Sequence, residues 1–294
     1  MPPLALRSLL FAPGDSEAKM RKAIASPADA VILDLEDAVA PDAKAAARTM
    51  VRAVIADETR DEKPVLVRLN ALDTGLTLAD LAAVMPARPW GVVLPKCEGA
   101  ADIDRLSFYL DALEARDEIA PGSTRIVTVA TETAAATLNL SQASAGSKRL
   151  WGLLWGGEDL SACLGANGNR DADGAYTFPY QFARSQCLYA ASALGVVAID
   201  AVYPDFRDLP GLEAEAREGL RDGFTAKAAI HPAQIAPINA VMTPRPEQVD
   251  WAEKVVDLLA HQAVARLDGR MVDLAHKRVA EKILSRASAA LGVG

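Results

Sequence analysis

Cysteine and histidine are both scarce in this chain, three of each in 294 residues. Cys97, Cys163 and Cys187 are odd in number and form no Cys-x-x-Cys or His-containing spacing. That argues against a disulfide framework or a zinc–thiolate centre and for reduced thiols in a cytoplasmic protein. Long hydrophobic runs are missing, so no segment reads as membrane-spanning. The first stretch, MPPLALRSLLFAPGD, has no basic region ahead of its short apolar run, holds Arg7 inside that run and reaches Pro13-Gly14 too soon to read as a signal peptide. Positive charge is in deficit as well. The formal net charge is −8 and no basic stripe is present, which argues against a nucleic-acid surface. The glycine-rich run Gly165–Gly174 (GANGNRDADG) fits neither a Rossmann nor a P-loop fingerprint and reads as a mobile loop over a site.

What the chain does have is apolar material, 51% of its residues, enough for a sizeable core. Much of it lies in eight short runs: Leu4–Ala12, Ala30–Asp37, Pro64–Asn70, Gly91–Lys96, Arg125–Glu132, Leu150–Leu160, Val196–Tyr203 and Lys227–His231. The sixth, LWGLLWGGEDL, is too continuously apolar for a half-exposed strand and suggests a parallel strand covered on both faces. Ala-rich segments with charges at helical spacing, such as Asp42–Ala56, Ala100–Ala115 and Tyr180–Leu194, separate most of the runs. Strands alternating with helices predict an α/β fold, and eight such units match a (β/α)8 TIM barrel. Chemistry in that architecture sits at the C-terminal ends of the strands, and there the polar residues gather: Glu36, Asp37, Arg68, Asn70, Lys96, Glu132, Glu158, Asp159, Tyr203, Asp205 and His231.

In the second run Ile32, Asp34 and Glu36 share one face, which must be the barrel interior. A buried acid needs a partner, and Arg7 and Arg68 are the expected ones; a structural ion-pair network competes with a functional role for Asp34 and Glu36. Arg68, a guanidinium at a strand end, suits bidentate capture of a carboxylate or enolate. Lys96 either positions substrate or neutralises Glu36 or Glu132. Glu132 lies on the face of Thr128 and Ala130, and neighbouring strand ends let it converge with Glu158 or Asp159. Paired carboxylates without histidine are a ligand set for a hard ion, foremost Mg2+. After the first run, Asp15 or Ser16 can cap a helix carrying Lys19, Arg21 and Lys22, whose N-terminus can receive an anion or simply end a βα loop. His231, before a proline, reads as a hydrogen-bonding structural residue.

The character changes after Pro244-Arg245-Pro246. A helix over Glu247–Ala265, the turn Leu267–Arg270 and a final helix form an appendage, dividing the chain into a barrel at 1–243 and a helical lid at 244–294. Asp273 stands just before the last helix, where residue preference alone makes it an N-cap.

RSLLFAPG, AVILDLEDAVAP, VRLN, VLPK, TETA, GGEDL, AIHPAQ and DGRMVD together, in this order, resemble the HpcH/HpaI aldolase/citrate lyase family, especially its citrate lyase β-subunit-like branch. The resemblance implies a barrel with a C-terminal lid, in a homotrimer or hexamer, acting on a carbon–carbon bond next to a CoA thioester with Mg2+. By matching position it makes Glu132 and Asp159 the metal ligands, Arg68 the holder of a 2-oxo acid and Asp273 the acid supplied by the lid across a subunit boundary. Glu36 supports the chemistry, and Arg7, Lys22 and Lys96 are expected to bind or line the substrate. It leaves open a malyl-CoA thioesterase, a free hydroxy-oxo acid aldolase, and a complex subunit that uses an acyl carrier protein. The chain departs from the family where Leu274-Ala275-His276, rather than an early proline, follows the late aspartate, and where Cys97 follows the VLPK lysine.

Overall fold

The computed structural model describes residues 6–57, 63–140 and 147–290. Eight parallel strands close into a barrel in sequence order: β1 (Ser8–Pro13), β2 (Ala30–Asp34), β3 (Val65–Arg68), β4 (Gly91–Leu94), β5 (Arg125–Val129), β6 (Leu150–Leu154), β7 (Val197–Asp200) and β8 (Ala226–Ala229). Around them run α1 (Glu17–Ile24), α2 (Lys44–Asp57), α3 (Thr77–Val84), α4 (Ala100–Arg116), α5 (Ala134–Asn139), α6 (Gly157–Leu164), α7 (Phe178–Leu194), α8 (Leu209–Asp222) and α9 (Ile235–Met242).

Alternation along the strands builds two apolar layers. Leu9, Ile32, Leu66, Val93, Val127 and Ile199 fill the barrel interior. Val31, Leu33, Val67, Val92 and Ile126 face outward against the helices. Trp90 packs edge-on to Trp151, centroids 5.4 Å apart, below the strand starts. The strands stop earlier than their apolar runs. β2 ends at Asp34 and β6 at Leu154, so Glu36 lies in a βα loop, and Glu158 and Asp159 occupy the first turn of α6 rather than a strand end.

The predicted helix over 247–265 is shorter than expected. α10 (Pro246–Leu258) is followed by an antiparallel pair, β9 (Val264–Leu267) and β10 (Arg270–Asp273), and then α11 (Leu274–Ala290). Asp268-Gly269 makes the two-residue turn, with φ of 48° and 78°. Positive φ at both central residues gives the twist that a tight hairpin needs, and Asp-Gly supplies it cheaply. Ala252, Val255, Leu259, Val272, Ala280 and Ile283 form a core for this segment apart from the barrel's two layers.

Candidate active site at the barrel mouth

Strand register starts the site. Asp34 and Arg68 are paired neighbours on β2 and β3. Both project from the interior face, and Arg68 clamps Asp34 through Nε to Oδ1 at 2.7 Å and Nη2 to Oδ2 at 2.6 Å. Its Nη1 lies 3.0 Å from Glu36 Oε2, and its guanidinium sits 5.1 Å from the centroid of the Phe11 ring. The adjacent carboxylates raise the guanidinium pKa in spite of burial, so the cation is permanent. With two of five N–H groups committed to Asp34, the rest remain for a ligand or for Glu36.

The loop after β2 is held so that Glu36 turns inward. Lys44 Nζ donates to the Leu35 and Glu36 carbonyls at 2.9 and 3.0 Å, and Asn70 Nδ2 donates to the Leu35 carbonyl at 3.0 Å. Gly14 lets the β1 loop pass against this turn, because a Cβ there would stand 2.5 Å from the Asp34 carbonyl oxygen. Burial raises the Glu36 carboxyl pKa against the pull of Arg68 and Lys96. Its Oε2 meets Arg68 as an ion pair without a hydrogen bond.

Lys96 fastens two acids at once. It adopts a left-handed backbone, φ 50°, a conformation that costs a non-glycine residue energy and persists only when its surroundings hold it. There its backbone N–H donates to Glu132 Oε2 at 2.5 Å while its ammonium contacts Glu36 and lies 3.4 Å from Asp37.

Glu132 is only 2% exposed. Strand alternation assigned it to the face of Thr128 and Ala130, but β5 ends at Val129 and the turn that follows brings its carboxylate into the mouth. Gly156 makes room, since a Cβ there would meet Glu132 Cγ at 2.6 Å. Burial pushes the Glu132 carboxyl up to about 8, and the nearby charges of Asp159 and Glu36 push the same way. Among the described residues no side-chain cation hydrogen-bonds Glu132 or Asp159. Two carboxylates lining one cavity, neither hydrogen-bonded to a side-chain cation, form a donor set that fits a hard divalent cation. Among the described residues no group of three or more His, Cys, Asp or Glu is placed to hold a metal ion by itself, so such an ion would complete its shell with water and substrate oxygens. Glu158 is held aside by Asn169, Nδ2 to Oε1 2.8 Å.

Asp34, Arg68, Glu132, Glu158 and Asp159 line a cavity of about 300 Å³ that opens at the C-terminal ends of the strands. The stretch expected to be a mobile loop is pinned beside it. Arg170 bonds Glu215 at 2.6 Å and stacks 3.8 Å from the Tyr176 ring centroid, while Tyr176 packs edge-on to Trp155 at 4.9 Å.

Residues 7–232 match the family described as HpcH/HpaI aldolase/citrate lyase. The chain belongs to that family. It is 33% identical over 303 residues to the mitochondrial citramalyl-CoA lyase of Rattus norvegicus, covering 96% of this chain and 86% of that one. It is 34% identical over 288 residues to a (3S)-malyl-CoA thioesterase of Cereibacter sphaeroides, covering 96% and 95%. Among solved structures, CitE of Mycobacterium tuberculosis, in complex with magnesium, acetoacetate and coenzyme A, superposes with a TM-score of 0.78 at 35% identity, covering 97% and 98%.

Not every residue expected at the site of this HpcH/HpaI-family barrel is brought to it. Arg68, Glu132 and Asp159 line the mouth, and Glu36 and Lys96 bind to them or beside them. Arg7 precedes β1 at the opposite end of the barrel and pairs with Asp29 at 2.7 Å and Thr243 at 2.9 Å, so it does not partner Asp34 or Glu36. Its place just before the strand, not within it, is the reason. Lys22 is exposed near the C-terminal end of α1, away from that helix's N-terminus, and Ser16 occupies the N-cap position without a side-chain bond. Asp273 lies outside the mouth of its own chain. It caps α11, accepting from the Ala275 and His276 N–H groups at 3.0 and 3.3 Å, and its Oδ1 is 2.7 Å from His276 Nδ1. These bonds to His276 lower the Asp273 pKa. His231 Nδ1 accepts from the Ala233 N–H at 3.1 Å, a structural cap.

Proposed function

We propose that this chain is a Mg2+-dependent carbon–carbon lyase that cleaves, or forms, a β-hydroxyacyl-CoA such as malyl-CoA or citramalyl-CoA, with an acyl-CoA and a 2-oxo acid on the other side of the reaction. The observation that carries the reading is the pair Glu132 and Asp159, without a protein cation of their own, beside the fixed cation of Arg68. A relative named citramalyl-CoA lyase and a neighbour solved with magnesium, acetoacetate and coenzyme A support it.

Glu132 and Asp159 would hold the Mg2+, which supplies Lewis-acid polarisation to the oxygen that becomes the keto oxygen. In cleavage that hydroxyl gives its proton to water in the mouth, the adjacent carbon–carbon bond breaks, and its electron pair passes to the α-carbon of the thioester as an enolate. Arg68, locked by Asp34, turns its remaining N–H groups to the carboxylate of the 2-oxo acid, where fixed charge costs no reorganisation. Glu36 and Lys96 are positioning residues that hold Arg68 and Glu132. Asp273 protonates the enolate carbon, or takes that proton in condensation, as a general acid and base. Because it stands outside its own mouth, it acts on the mouth of a neighbouring copy, in a homotrimer or hexamer whose lid is residues 244–294.

The test is incubation with malyl-CoA and citramalyl-CoA, with Mg2+ or EDTA, and mass spectrometry of the products. Acetyl-CoA with a 2-oxo acid, lost in EDTA, is the expected result. Free CoA with the hydroxy acid overturns the lyase in favour of a thioesterase, the activity by which one relative is named. No turnover points instead to a complex subunit that needs an acyl carrier protein.

A further inference from the structure

At the closed end of the barrel, away from the mouth, the last turns of α8 and α9, the start of α10 and one face of α11 line a second cavity, of about 780 Å³. Its lining fixes its place: Thr225 leads into β8, and Thr243 is the residue that bonds Arg7 ahead of β1. The chain carries a net charge of −8, yet five basic side chains line this cavity, Arg217, Arg221, Arg245, Lys282 and Arg286, against two acids, Glu213 and Asp222. Both acids are taken. Arg217 bonds Glu213 at 2.6 Å and Arg221 bonds Asp222 at 3.0 Å. Arg245, Lys282 and Arg286 form no ion pair among the described residues. Arg286 weighs most, because its Nε is buried without a hydrogen-bond partner and burial lowers its pKa with no acid to oppose it. A cation held this way is costly unless something anionic meets it.

We propose that this cavity binds a small phosphorylated anion that bridges the barrel and the C-terminal segment. The cations reach it from three directions. Arg217 and Arg221 stand one turn apart on α8, Lys282 and Arg286 one turn apart on α11, and Arg245 immediately precedes α10. A carboxylate offers two oxygens in one plane, whereas a phosphoryl group offers three at tetrahedral angles and close to two charges, so it answers donors converging from several sides. Arginine's planar fork favours such groups. The volume exceeds what one phosphate fills and lies in the range of small-molecule sites. Leu220, Phe224, Val241 and Ile283 make the rest of the wall apolar, which suits the organic body of a phosphate ester. Binding there ties α11 to α8 and α9, so residues 244–294 are held to the barrel by a ligand that takes no part in chemistry at the mouth. None of this depends on the lyase reading.

The experiment is calorimetric titration of the full-length protein with inorganic pyrophosphate and, separately, with ADP, in EDTA so that no metal ion at the mouth can hold either. Saturable binding at one site per chain is expected. Arg286→Met and Lys282→Ala are each expected to weaken it by about tenfold or more, the usual loss when a hydrogen bond between charged groups is removed. Without ligand, the thermal midpoint of Arg286→Met is expected to hold or rise, because an unpaired buried charge has gone. Loss of stability with unchanged pyrophosphate affinity would make Arg286 a brace for the fold and overturn the proposal. Lys282 is exposed, so its variant decides should Arg286→Met fail to fold. Tighter binding of ADP than of pyrophosphate bears the proposal out with an ester as ligand; equal or weaker binding of ADP bears it out with the free anion. No binding by the wild type overturns it, and so does wild-type affinity in both variants, which places the anion elsewhere. If the wild type binds neither probe and the variants lose its oligomeric state, the cavity belongs instead to an acidic surface of a second copy.

Discussion

Two clusters of buried charge meet at Trp155, and their balance differs. On the wall side, Trp155 Nε1 donates to Asp200 Oδ1 at 2.7 Å. Asp200 also receives Arg184 at 3.0 Å and Lys227 at 3.1 Å, Lys227 bonds Glu215 at 2.8 Å, and Glu215 bonds Arg170 at 2.6 Å. Burial disfavours the Asp200 carboxylate, yet Lys227 and Arg184 outweigh it and lower its pKa. Each acid there has more than one cation. On the mouth side, where Trp155 lines the cavity, Asp34, Glu36, Glu132 and Asp159 share Arg68 and Lys96, and Glu132 is pushed up to about 8. Asp200 and Glu132, at the centres of the two clusters, are both fully buried; sufficiency of counter-charge is what differs between them. A buried network that satisfies itself holds the barrel together, and one left short of positive charge suits the divalent cation proposed for it.

The sharpest way to test this contrast is one substitution on each side. Glu132→Gln is expected to lower lyase turnover by about 10³-fold or more, because it removes a proposed metal ligand. Its urea midpoint is expected to hold or rise, because a carboxylate that is costly to ionise has been replaced by an amide. Asp200→Asn is expected to do the reverse. It leaves Arg184 and Lys227 buried with less counter-charge, a loss of about 3–5 kcal/mol in equilibrium unfolding. A fall in stability for Glu132→Gln as large as that for Asp200→Asn would break the comparison.

How far these clusters can be read in sequence follows from how local each one is. Asp34 opposite Arg68 follows from strand alternation and parallel register, and the adjacency of successive strand ends brings Glu132 towards Asp159. The reach of Glu132 itself does not follow, because the turn after Val129 cancels the alternation, and the double grip of Lys96 depends on a φ of 50° that no periodicity encodes. The wall cluster was missed. Arg184, Asp200, Glu215 and Lys227 come from α7, β7, α8 and β8, with no short spacing to join them. Arg7 misled for a simple reason: the strand begins after it, at Ser8, so its side chain belongs to the closed end. The hairpin at Asp268-Gly269 carried a legible signal in its Asp-Gly turn, but the helical pattern before it was extended too far.

Adding the cation sharpens the contrast at a smaller scale. Mg2+ at about 100 times its Kd is expected to stabilise the wild type by about 2.7 kcal/mol through mass action. The same addition should leave Glu132→Gln nearly unmoved, while Asp200→Asn, with its mouth intact, should gain as much as wild type. Thermal shifts with and without EDTA measure all three. Equal stabilisation of Glu132→Gln would place the ion elsewhere.

The smallest effect is in pH. A carboxyl whose folded pKa is raised binds its proton more tightly when folded, so its stabilising contribution is complete below the unfolded value, about 4.3, and fades as pH rises through the folded one. For Glu132 that window ends near pH 8. In EDTA the wild type is therefore expected to lose stability between about pH 4.3 and pH 8, with the slope absent in Glu132→Gln. Asp200 has the opposite sign: its depressed pKa gives stability that is present above about 3.9 and lost as pH falls further. Mg2+ competes with the Glu132 proton, so below that window's upper limit its affinity should rise by up to about tenfold per pH unit and then level off, measured by calorimetry from pH 6 to 9. An affinity flat across that range would mean that Glu132 is already ionised without the metal, and the mouth would then be as well supplied with counter-charge as the wall.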